Sequence, residues 1–154
     1  MKTSTMDRIE KSTVLRAPRS RIWRALTDPK AFGDWFQVKV EGPFKPGAHV
    51  RGQVTYPGWE HLPFDITIVR MEPERLFSWR WHPHAVDPKQ DYSSEPTTLV
   101  ECELTEVAGG TRLKIVESGF DRIPVARRSE AYRMNSAGWA EEVQNIAKYV
   151  AEKS

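Results

Sequence analysis

The spacing of apolar positions changes period along the chain, from strand-like to helical, back to strand-like and then to helical again. Arg8 to Arg16 alternates loosely and carries β-branched Ile9, Thr13 and Val14, so residues 7–17 read as a strand that stops at Ala17-Pro18. Proline lacks an amide proton that has no helical partner in a first turn anyway. Pro18 therefore suits the start of a helix whose apolar stripe is Ile22, Trp23, Ala25 and Leu26. Asp28-Pro29 repeats the start signal, with a capping carboxylate followed by a proline, and predicts a second short helix. That helix contains Gly33 and ends near Trp35-Phe36. From Val38 to Phe120 the period falls to two, cut by turns at Gly42-Pro43, Pro46-Gly47, Pro57-Gly58, Pro73 and Gly109-Gly110. Thr98, Val100, Cys102 and Leu104 share one face of a strand over Thr98–Glu106, and Gly109-Gly110 turns it back into Arg112–Ser118. Leu76–Trp81 carries Phe77, Trp79 and Trp81 at alternate positions. From about Ala126 to Lys153 Tyr132, Ser136, Trp139, Val143, Ile146 and Val150 form one helical stripe. Glu141, Glu142, Gln144 and Lys148 are assigned to the opposite face.

The order is a strand, two short helices, a run of about five or six further strands, then a long helix, which makes an α+β domain spanning residues 1–154. Closely spaced strands favour an antiparallel meander. A twisted sheet must cover one face, and the last helix is the element long enough to do so. Where the sheet curves away from that helix a gap is left, and the inward-facing aromatics are candidates to line it. The N-terminal half of the helix, with Tyr132, Ser136 and Trp139, suits such a pocket better than the aliphatic C-terminal half does. Pro83 to Pro96 reads as a long polar surface loop, either functional or a tolerated insertion.

Charge narrows the function. With 23 basic and 21 acidic residues in 154, the net charge of +2 offers neither a nucleic-acid stripe nor a patch for anionic membranes. No apolar run approaches the roughly 20 residues that span a bilayer. Met1–Lys11 lacks the apolar segment of a signal peptide. A single cysteine forms no internal disulfide and points to a reducing, cytoplasmic setting. It also rules out a four-thiolate zinc site or a two-iron ferredoxin cluster, and no cofactor is expected.

Glu117 continues the inward phase of Leu113 and Ile115. Strand alternation aims its carboxylate at the gap, where burial would raise its pKa and suit it to acid, base or anchor work. If the strand frays or bulges before Gly119, the same side chain faces water or pairs with an arginine instead. Phe77 reads as core, while Trp79 and Trp81 are candidates for the cavity wall. Trp35 and Phe36 close the second short helix as wall or plug, and Tyr56 and Trp59 flank Pro57-Gly58 either as a lip over an entrance or as a staple of the turn to the body. Phe120, Tyr132, Ser136 and Trp139 complete the candidate ligand contacts. His82 and His84 have a spacing that can hold a metal, with Asp87, His61 or Glu117 as third ligand, but Pro83 interrupts the strand geometry that would align them. Solvated loop histidines are the expectation, with no metal. Cys102 reads as a small buried hydrophobe, and neither Ser118 nor Ser136 lies in a nucleophile-elbow motif, so no catalytic set is assigned.

Read in order, Ala17-Pro18-Arg19-Ser20-Arg21-Ile22-Trp23-Arg24-Ala25-Leu26-Thr27-Asp28-Pro29, Trp35-Phe36, Phe44-Lys45-Pro46-Gly47, Pro73-Glu74-Arg75-Leu76 ahead of Trp79, Glu117-Ser118-Gly119-Phe120 and Gly138-Trp139 resemble the START-like, helix-grip superfamily, also called SRPBCC. Within it the chain resembles the bacterial branch related to the activator of the ninety-kilodalton heat-shock chaperone's ATPase. The resemblance implies a curved sheet of about six or seven strands wrapped around the long helix, with two short helices after the first strand. It also implies a cavity for a small hydrophobic molecule between sheet and helix. Some relatives are cyclases, dehydratases or hydrolases acting in the same cavity, and some act on a chaperone, so both remain alternatives to a binding role. The reductase label carried by some relatives does not suit a chain without a Gly-x-Gly-x-x-Gly turn and with one cysteine. The expected partner is a small hydrophobic ligand, without nucleic acid or membrane, on a monomer or homodimer.

Overall fold

A computed structural model describes residues 7–152. Met1–Met6 of the expected polar N-terminus and Lys153 of the expected last helix lie outside the described residues. Strand β1 is Arg8–Leu15, followed by α1 (Arg19–Thr27) and α2 (Pro29–Phe36). Strands β2 (Val38–Val40), β3 (His49–Val54), β4 (Pro63–Glu72), β5 (Leu76–Trp81), β6 (Thr98–Val107) and β7 (Gly110–Ser118) follow. A single 3-10 turn at Phe120–Arg122 leads into α3, Val125–Glu152.

All seven strands form one antiparallel sheet in the order β1-β7-β6-β5-β4-β3-β2. The local signals act as expected. The Asp28 carboxylate accepts the Ala31 amide at 2.9 Å, and Pro29 takes the first helical position of α2. Gly33 lets α2 approach β2, since a Cβ there would collide with the Val38 carbonyl. Gly109, at φ +81°, makes the tight β6–β7 turn.

The inner face of the sheet holds Thr98, Val100, Cys102 and Leu104 from β6 and Leu113, Ile115 and Glu117 from β7, all buried. The two short helices and α3 cover this face. The buried residues of α3 are Ala131, Trp139, Ile146 and Val150; the last three belong to the expected stripe, and only at its N-terminal end does Ala131 take the buried place instead of Tyr132. One sequence expectation is corrected here. Glu142 does not sit on the solvated face: it follows Trp139 by one turn and is half-buried, with Asn145 Nδ2 donating to it at 2.9 Å. Burial, together with neighbouring Glu141 and against the Asn145 hydrogen bond, raises its carboxyl from 4.5 to about 8.

Candidate functional site

A splay in the sheet creates the site. Within β4, Pro63–Ile66 pair with β3 but have no partner on β5, because the β4–β5 ladder begins at Thr67–Arg80. Trp81, the next residue of β5, pairs only with Thr98 of β6. The β3–β4 hairpin thus diverges from the rest of the sheet, and the connection 82–97 folds across the opening. The gap is a groove of about 970 Å³. Phe36 from the end of α2, Tyr56, Phe64, Trp81 and Asn135 of α3 are among the residues that line it. The centroids of the Phe36, Phe64 and Trp81 rings lie 5.7 to 6.2 Å apart, forming a contiguous apolar wall.

Arg127, in the first turn of α3, holds the 82–97 connection in place. Its Nε donates to Glu95 Oε1 at 2.8 Å, its Nη1 donates to the Pro83 carbonyl at 2.8 Å, and its guanidinium lies 4.7 Å above the Tyr92 ring. The Arg127 and Glu95 side chains are only 15% and 13% exposed, so this ion pair is far better shielded than those at the surface.

Beneath the groove floor lies Glu117, fully buried. Four side chains donate to it. Trp81 Nε1 and Thr98 Oγ1 reach Oε2 at 2.8 and 2.6 Å. Trp139 Nε1 reaches Oε1 at 2.8 Å, and Asn135 Nδ2 lies 3.0 and 3.1 Å from the two oxygens. An indole nitrogen can only donate, so this partner set suits an acceptor-only carboxylate. No cation is bonded to either oxygen among the described residues. The carboxylate ties β5, β6 and α3 to β7, and both of its oxygens are occupied.

Of the residues singled out in the sequence, Phe36, Tyr56 and Trp81 from the candidate ligand contacts, and His61, His82, His84 and Asp87 from the candidate metal set, line the groove. Glu117 and Trp139 stand directly behind it through the hydrogen bonds to Trp81 and Asn135. Trp79 is fully buried against Phe32, Phe77 and Trp139, and Trp35 is buried with its Nε1 donating to the Ala25 carbonyl at 2.8 Å. These rings fill the space between the sheet and the middle of α3, so the open volume is displaced to the splay. Phe120 and Tyr132 pack on each other at 5.3 Å near β1, where the Tyr132 hydroxyl donates to the Arg8 carbonyl. Ser136 is half-buried four residues after Tyr132, and neither it nor Trp59 lines the groove. Trp59 is 41% exposed and stacks on His61.

The loop histidines face different partners. His82 Nε2 lies 3.0 Å from the Glu95 carbonyl, whereas His84 approaches Glu130 at 3.7 Å. Burial lowers the His84 pKa, Arg127 and Arg133 lower it further, and Glu130 opposes them. No group of three or more metal-ligating side chains occurs among the described residues. Cys102 is fully buried, and burial with nearby Glu101 pushes its thiol pKa far up. Asn135, Phe64 and Arg127 escaped the sequence reading, while Thr98 was placed on the inward strand face without a role. Asn135 lies four residues before Trp139, a spacing that shares a helix face and could have found it.

The match to known proteins agrees with this architecture. Residues 16–151 match the family described as Activator of Hsp90 ATPase homolog 1-like protein. The chain belongs to this family. Its curved seven-stranded sheet and long C-terminal helix are those of the START-like, helix-grip superfamily. The chain matches no curated protein. Among solved structures it is similar to DynU16, from the dynemicin biosynthetic locus, at 26% identity and a TM-score of 0.72. That match covers 94% of this chain and 47% of DynU16, so the chain spans about half the length of that relative. It is also similar to protein MLL2253 from Mesorhizobium loti, at 21% identity, TM-score 0.75, covering 96% of this chain and 98% of the other. Protein NE0264 from Nitrosomonas europaea matches at 16% identity and TM-score 0.76, with 100% of both chains covered. No helix among the described residues is long and apolar enough to cross a membrane.

Proposed function

We propose that this family member binds a small apolar or aromatic molecule in the groove between the β3–β4 hairpin and the 82–97 connection. The observation that carries this reading is the splay itself. It leaves about 970 Å³ open beside the rings of Phe36, Phe64 and Trp81, a volume within the range of small-molecule sites. Burial of the ligand's apolar surface against these rings supplies affinity at about 25 cal/mol per Å², less the cost of ordering. The rings are held rigidly: Trp81 by its hydrogen bond to Glu117, Phe36 by contact with Phe32 and Trp139. Rigid walls lower the ordering cost.

Occupied oxygens favour an anchoring role for Glu117 over that of a general base, which needs a lone pair directed at substrate. The reading is tested with N-phenyl-1-naphthylamine, a neutral probe that brightens in apolar sites. Saturable enhancement is expected, with affinity falling about tenfold in Trp81→Ala. Absence of saturable binding, or equal binding by Trp81→Ala, refutes the site.

A further inference from the structure

Glu117 is unusual in its lack of a counter-charge. A buried carboxylate is ordinarily paired with a cation, because neutral donors solvate it without cancelling its field. Here all four partners are neutral side chains. Two of them, Trp81 and Asn135, are also groove wall. Little more than the depth of one side chain separates the negative charge from the groove.

Asn135 passes this polarity on. An amide turned toward a carboxylate must present its NH2, and Nδ2 lies within 3.1 Å of both Glu117 oxygens. The carbonyl end of the amide is thereby directed away from Glu117, and Oδ1 makes no hydrogen bond among the described residues. The negative end of the amide dipole is the polar feature that this side chain offers a ligand. Beside it stand the rings of Trp81 and Phe36, whose faces attract cations. Two arginines, Arg80 and Arg51, also line the groove, and each has a polar partner. Arg80 takes the opposite sheet face to Trp81 by strand alternation, where it contacts Thr97 Oγ1 at 3.5 Å, and Arg51 lies 3.6 Å from Asp65. Asp65 also takes His49 at 2.5 Å, while the other two groove carboxylates, Asp87 and Asp91, accept the backbone amides of Lys89 and Ser93.

The geometry points to a ligand that carries a protonated amine on its aromatic or apolar body, seated where Trp81 and Asn135 line the groove. Asn135 Oδ1 accepts from the ammonium, Trp81 faces it, and Glu117 supplies the opposing charge and fixes the orientation of Asn135. This specificity rests on the groove reading above.

Three probes with one aromatic body separate charge from apolar burial: 1-naphthylmethylamine, 1-naphthylmethanol and 1-naphthoate, titrated calorimetrically at pH 7. The ammonium is expected to bind about tenfold tighter than the alcohol, and the carboxylate weakest. Glu117→Gln, which removes the charge, should bring the amine-to-alcohol ratio toward one. Asn135→Leu, on a half-buried helix position, should do the same and serves if Glu117→Gln does not fold. Wild-type amine and alcohol affinities within twofold, or tightest binding by the carboxylate, overturn the inference while the groove stands. An amine preference that survives both substitutions also overturns it. Failure of all three probes to bind removes the inference and the groove together.

Discussion

Glu117→Gln tests the central polar junction of the molecule. In the wild type, Oε2 accepts from Trp81 Nε1 and Thr98 Oγ1, Oε1 accepts from Trp139 Nε1, and Asn135 Nδ2 lies between them. Glutamine replaces one oxygen with an NH2 group. With the amide nitrogen in the Oε2 position, it faces the indole proton of Trp81. With the amide flipped, it faces the indole proton of Trp139. Neither indole can turn its nitrogen into an acceptor, so both orientations strand one buried N–H, at about 1–3 kcal/mol. The remaining bonds lose their charge-assisted character, which partly cancels against the relief of desolvating a carboxylate. A net loss of about 2–4 kcal/mol follows, which for a domain of this size lowers Tm by about 5–15 °C. Glu117→Leu strands all four donors and should lose more. Urea and thermal denaturation followed by tryptophan fluorescence measure both variants. A Tm for Glu117→Gln within 2 °C of wild type, or Glu117→Leu more stable than Glu117→Gln, would show that the junction contributes no net stability.

Other consequences follow from the same structure. Arg127→Ala leaves Glu95 shielded without its cation and frees the Pro83 carbonyl, so limited proteolysis should cut within 82–97 at least tenfold faster than in wild type; unchanged cutting would mean that Arg127 does not hold the connection. Glu142 has a folded pKa of about 8 against 4.5 unfolded, so the folded state binds the extra proton and stability falls as pH rises from about 4.5 to 8. Glu142→Gln should therefore flatten that fall and gain on the order of 2 kcal/mol relative to wild type at pH 8, but little at pH 4; parallel pH–stability curves would contradict the burial assigned to it. Trp79→Ala, though once a candidate for the cavity wall, empties a fully buried core position and should cost about 3–5 kcal/mol in urea denaturation; a loss below 1 kcal/mol would contradict its core placement. Cys102 should resist alkylation by iodoacetamide in the native state and react on unfolding; rapid native labelling would refute its burial.

Much of the architecture is legible one residue at a time, because its causes are local. Asp28-Pro29 starts α2 through a cap and a preset φ, Gly109 permits the β6–β7 turn, and alternation over β6 and β7 places Cys102, Ile115 and Glu117 inward. Those effects act within a few residues, so sequence alone determined them, along with the α+β order and the family to which the chain belongs. Tertiary structure decided where the open volume lies and what surrounds the carboxylate. The ladder between β4 and β5 stops at Thr67–Arg80, and no turn signal announces that divergence, because it depends on the pairing of strands and on the connection lying across them. Glu142 reads as a surface residue by polarity, yet it is half-buried, and Asn135 of the same helix meets Glu117, since the rotation of a helix is set by everything packed against it. The donors around Glu117 come from positions 81, 98, 135 and 139, and only folding brings such distant residues to a single buried charge.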